Sequence, residues 1–222
     1  MLFRLCALAA VATLLALAPW GKASAAAPCC GPITEDGQRL TELLNGAGVD
    51  HLWLAGHHIA WNTGEPDHDR PDGREAQSHC SAFVGAVAER LGLYVLRPPQ
   101  HAQELLASAQ VRWMASEGPN FGWRVLGGAL EAQRAANQGD LVLEAFASPD
   151  PRRPGHIAIV RPSEKTIAEL DRDGPEETQA GSFNALDTTT ALGFRLHRGA
   201  WRRGDAGGLR YYGHGVDWSA VK

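Results

Sequence analysis

Cysteine is scarce in this chain: four in 222 residues, and only Cys29, Cys30 and Cys80 lie beyond the first 27. That count excludes a small scaffold stapled by several disulfides, and no C-x-x-C pair is present to suggest a zinc knuckle. Positive charge is not concentrated anywhere: 21 Lys and Arg stand against 25 Asp and Glu, for a formal net charge of -4. Without a basic stripe to grip a phosphate backbone, nucleic acid is not an expected partner. After residue 27 no apolar run is long enough to span a bilayer. Internal repeats are also lacking, which excludes solenoid and array architectures.

Residues 1–27 have the three-part layout of a secretory signal peptide: Arg4, an apolar run from Leu5 to Ala18, and the small-residue tract Ala23 to Ala27. The expected mature protein is secreted or periplasmic, with no stable membrane span once the leader is cleaved after Ala25 or Ala27. An uncleaved anchor, with Trp20 and Lys22 at the membrane interface, is the alternative. Pro28 ahead of Cys29 speaks against a lipid anchor. Loss of Arg4 and Lys22 makes the remaining chain more acidic. Roughly two hundred residues remain, enough for one domain over 28–222, with its core at about 49–197. Three cysteines in an oxidising compartment leave one thiol over. Cys29 and Cys30, adjacent in an expected flexible tail, could pair with each other only through a strained ring, or with another chain. Both read as peripheral.

Apolar spacing and stop signals predict helices over 34–44, 81–93, 98–106 and 128–137. The helix over 81–93 shows one apolar face made by Phe83, Val84, Val87, Ala88 and Leu91, which puts Cys80 at its first turn. After Gly139 the pattern turns to β, with strands over 140–146 and 156–161 joined by a Pro-rich turn, and β-like pieces at 166–170, 177–180 and 193–196. Helices first and a small antiparallel sheet afterwards make an α+β fold.

A cysteine at a helix N-terminus suits nucleophilic chemistry, because the unsatisfied N–H groups and the helix dipole favour the thiolate. His156, at the start of a strand, is the natural base: it can take the thiol proton and return it to a leaving amine. Three ordered segments carry a resemblance: SHCSAFV at Ser78 to Val84, GDLV at Gly139 to Val142, and GHIAIV at Gly155 to Val160. Together they resemble the NlpC/P60 and CHAP-type cysteine hydrolases. The resemblance implies a papain-like fold in which a Cys-bearing helix packs on a small antiparallel sheet. It also implies peptidoglycan peptides as substrate, cleaved by an endopeptidase or amidase without cofactor. The family usually adds a polar residue that orients the histidine. Here Gln179 is the first candidate, with Asn184 and Glu169 as alternatives. His79 stands where the family often has Asp, and the stretch between Leu93 and Gly139 has no counterpart.

His57, His58, Trp61, His79 and Ser81 are expected to line the cleft as substrate contacts. The histidines lack zinc-site spacing, so no metal is expected. Asp67 and Asp69 lack the rest of a calcium loop and read as solvated charges. Trp113 and Trp123 read as core or cleft-wall aromatics, with sugar stacking as the alternative. Two rival readings stay open: a non-catalytic wall-binding or interaction protein that keeps the fold, and a thiol acyltransferase.

Overall fold

The computed structural model describes residues 28–67, 78–202 and 207–221. The leader, most of the loop ahead of Cys80, and Asp69 within it lie outside the described residues. Helix α1 (Glu35–Asn45) opens the fold, its first turn capped by Thr34, whose hydroxyl accepts from the Gly37 amide. Helix α2 (Cys80–Arg90) follows, then α3 (Leu106–Ser116), a 3-10 turn (Gly118–Phe121), β1 (Arg124–Leu126) and α4 (Ala129–Asn137). Next come β2 (Leu141–Phe146), β3 (His156–Val160), α5 (Ile167–Asp173), β4 (Glu176–Gln179), β5 (Ala185–Thr189), the single turn α6 (Thr190–Gly193) and β6 (Arg210–His214).

The six strands form one sheet in the order β1-β6-β2-β3-β4-β5, every pair antiparallel. The chain is therefore a mixed α+β protein. Alternation along the strands gives the sheet two different faces. Leu141, Leu143, Ala145, Ile157, Ile159 and Tyr212 join the core built with α1, α2 and α3. Val142, Val160 and Tyr211 pack under α4, while Phe146 and Ala158 meet Phe194 just past α6. Helix α2 is the centre of the first layer: every residue from Cys80 to Ala88 is buried. A run of Ala, Gly, Ser and Cys allows this close approach on all sides, so α2 is buried all round rather than amphipathic.

Several sequence expectations are corrected. Residues 98–106 form turns, not a helix: Pro98 and Pro99 offer no amide donors, and the helix begins only at Leu106. The β-like piece at 166–170 is α5, started by a capping box between Thr166 and Glu169. The one at 193–196 is the end of α6 and the turn after it. Cys29 and Cys30 are joined to each other, and their segment is no loose tail. Cys30 is fully buried, the Cys29 amide donates to Lys165 O at 2.8 Å, and the Thr34 amide donates to Asn137 O at 3.0 Å.

Candidate functional site

Cys80 is the first residue of α2, with His79 as N-cap residue. The His79 ring does not cap the helix; its Nε2 bonds the carbonyl of His57 at 2.8 Å. The Cys80 thiol is the one free cysteine among the described residues and is 4% exposed. It rests against the backbone N–H of Ile157, the second residue of β3. Burial pushes the thiol up to about 11, even though the amides of Ile157, Ser81 and Cys80 itself pull it down. The expected gain from the helix N-terminus is present, and desolvation outweighs it, so the resting group is a thiol.

His156 lies one residue away, on the other side of the strand. Its ring makes an edge contact with Phe194 at 4.7 Å between centroids and stacks on His197 at 4.9 Å, the planes 5° apart. Nε2 is 2.6 Å from Gln179 Oε1 on the neighbouring strand β4. The Gln179 amide is oriented by its own Nε2, which donates to Phe183 O at 3.3 Å, so Oε1 is the acceptor. The neutral imidazole therefore carries its proton on Nε2 and presents a basic Nδ1, for which no hydrogen-bond partner exists among the described residues. Burial, with the His197 ring beside it, pushes His156 down to about 3, against the contrary pull of Gln179. Thiol and imidazole are both neutral at rest, they flank the same peptide of β3, and among the described residues no hydrogen bond joins them.

Of the three residues considered for orienting the ring, Gln179 is the one brought to it. Asn184 is spent on the loop after α1: its Nδ2 donates to Val49 O at 2.8 Å and Leu52 O at 2.7 Å. Glu169 is spent in the capping box of α5. Ser81 is buried, and its carbonyl accepts from Gln110 Nε2 at 3.0 Å. His57, His58 and Trp61 are half-exposed. His58 Nδ1 is bonded to Asp67, and the Trp61 ring lies against Gly85 in the middle of α2, under the guanidinium of Arg97. Phe194 and His197, which hold the His156 ring from the far side, carried no sequence signal: nothing in their local pattern points at a histidine some forty positions earlier.

Among the described residues no three His, Cys, Asp or Glu side chains gather as a metal-holding set, and no helix is long and apolar enough to cross a membrane. A scan against protein-family models returns no match, and a search of curated proteins returns none either. The likeness to NlpC/P60 hydrolases thus stands on the three quoted segments.

Proposed function

We propose that this chain is an exported cysteine hydrolase of the NlpC/P60-like, papain-like type that cleaves amide bonds in peptidoglycan peptides. Cys80 is the nucleophile, His156 the base, and Gln179 the residue that sets the tautomer. The observation that carries the reading is the 2.6 Å bond from His156 Nε2 to Gln179, which leaves Nδ1 as the basic nitrogen on the strand that the α2 thiol rests against.

In this mechanism the thiol leaves the Ile157 amide and is brought, as substrate binds, round the first residue of β3 to within reach of Nδ1, to which it gives its proton. The thiolate adds to the amide carbonyl, and the oxyanion is met by N–H groups of the first turn of α2, which have no intrahelical partner. The imidazolium protonates the leaving amine as the C–N bond breaks, giving a thioester. Water, deprotonated by Nδ1, then releases the acid and restores the thiol. Whether the amide joins two residues of the peptide or joins the sugar to the peptide does not change this chemistry, so endopeptidase and amidase share the site.

The covered, protonated thiol favours one second reading: a wall-binding or interaction protein that keeps the fold with an idle site. Zymography on purified peptidoglycan with wild type and Cys80→Ala separates the two. Clearing by wild type alone supports the hydrolase, whereas equal clearing by both proteins, or none by either, overturns it.

A further inference from the structure

The sheet face that carries His156 also holds two glutamates in its interior. Glu144 on β2 and Glu177 on β4 are both fully buried. They lie on either side of β3, where Ala158 stands opposite Glu144 and Val160 opposite Glu177. The small Ala158 side chain leaves room for the two carboxyls to approach over the strand, close enough for each to act on the other's ionisation. An ionised carboxylate only accepts hydrogen bonds, so a bond between two carboxyls needs a proton on one of them. As two carboxylates, Glu144 Oε1 and both oxygens of Glu177 would have no donor at all. One proton supplies it.

The turn α6 is built on this pair. The Thr190 hydroxyl donates to Glu144 Oε2 at 2.7 Å. Gly193 lies so close to Glu177 that a Cβ there would run into its carboxyl, and the same Cβ would lie 3.0 Å from Gln179 Oε1. Phe194 follows directly, its amide bonded to Thr190 O at 3.0 Å, and His197 one turn later bonds to Phe194 O at 2.8 Å. These are the two residues whose rings hold His156.

We propose that Glu144 and Glu177 form a single-proton binding site, and that this shared proton keeps α6, with Phe194 and His197, seated over His156. Removing it places two negative charges side by side beneath the turn, where the low dielectric strengthens their repulsion. Burial lifts Glu177 well above the usual carboxylate range, and the Glu144 charge lifts it further. The other titratable groups acting on the pair are few. Tyr211, opposite Glu144 on β6, is raised by burial and stays neutral. Lys165, ahead of α5, acts on both carboxyls while its Nζ donates to Gly174 O at 2.8 Å. The site consequently keeps its proton beyond the ordinary carboxylate range and loses it as pH rises through its raised native value, loosening the cover of His156. The proton site is independent of the hydrolase reading; the consequence for a catalytic base rests on it.

Hydrogen–deuterium exchange over residues 190–197, expressed as protection so that intrinsic pH dependence divides out, tests the proposal on the full chain. Wild-type protection is expected to fall by at least about tenfold from mildly acidic to mildly alkaline solution, the factor that goes with one pKa unit. Glu177→Gln, whose amide supplies the missing donor permanently, should stay protected throughout. Glu176→Gln, which alters the separate pair that Glu176 of β4 makes with Asp187 of β5, should leave the wild-type transition in place. Flat wild-type protection, or the same transition in Glu177→Gln, overturns the proposal. If that variant does not fold, the infrared band of a buried protonated carboxyl in wild type decides: its presence at neutral pH supports the shared proton, its absence refutes it. None of these readouts measures hydrolysis, so they can fail or succeed apart from the zymogram.

Discussion

The two faces of the central sheet solve opposite problems. The face under α2 and α3 is apolar, and the Cys80 thiol packed against it from α2 is kept protonated by burial. The opposite face carries His156, Gln179, Glu144 and Glu177 in the interior, where each polar group must be matched by another. A single strand, β3, separates them. The first face contributes the larger apolar cluster, while the second couples the fold to the protonation of its polar groups. Both residues proposed for catalysis sit at the first peptide of β3, where the faces meet.

Substitutions on the two faces should differ in kind. Phe83→Ala, in the middle of α2 and fully buried against Trp53, should cost about 3–5 kcal/mol in a denaturant titration with the slope unchanged. That loss should not depend on pH. A marked pH dependence would break the comparison.

Next in size is the response of the polar face to pH. His156 is held well below its ordinary value, so the unfolded chain binds a proton that the native one does not, and stability falls as pH drops from about 6.5 toward about 3. Glu177 is held above its ordinary value, so the native state is the one that binds the extra proton. Its contribution is present below the ordinary carboxylate range and is lost as pH rises toward the native value. Denaturant midpoints across pH should trace a dome, and Glu177→Gln should flatten its alkaline arm alone.

Gln179→Ala leaves the His156 Nε2–H without an acceptor in a buried place and should cost about 1–3 kcal/mol. On the hydrolase reading it should also lower kcat more than it raises KM, because the tautomer is no longer set. Unchanged turnover in a stable Gln179→Ala protein would remove Gln179 from the mechanism. The smallest effect is expected far from both faces: Thr166→Ala removes the capping box of α5 at a cost of about 0.5–2 kcal/mol by thermal melting, with no change in thiol reactivity.

Much of this frame was legible before the structure. The α2 segment is visible because Phe83, Val84, Val87, Ala88 and Leu91 recur at helical spacing, and β2 and β3 because β-branched and apolar residues run on either side of the Pro-rich turn. Gln179 is expected to begin a strand after a turn; it instead ends β4, and its side chain reaches along the sheet from there to His156. The errors have identifiable causes. In 166–170 the Thr-x-x-Glu capping signal outranks the apolar pattern that suggested a strand. Strand β6 escaped notice because its partners, β1 and β2, are distant in sequence, and short strands are defined by what pairs with them.

Local sequence determined the elements themselves: where helices start and stop, which segments alternate, and which residue types could carry chemistry. Those properties depend on side chains a few positions apart. Only the tertiary structure decided which side of β3 each reactive group takes, how deeply the thiol is covered, and that two glutamates 33 positions apart come to share a proton. Desolvation and hydrogen-bond matching are properties of the packed interior, and no local pattern encodes them.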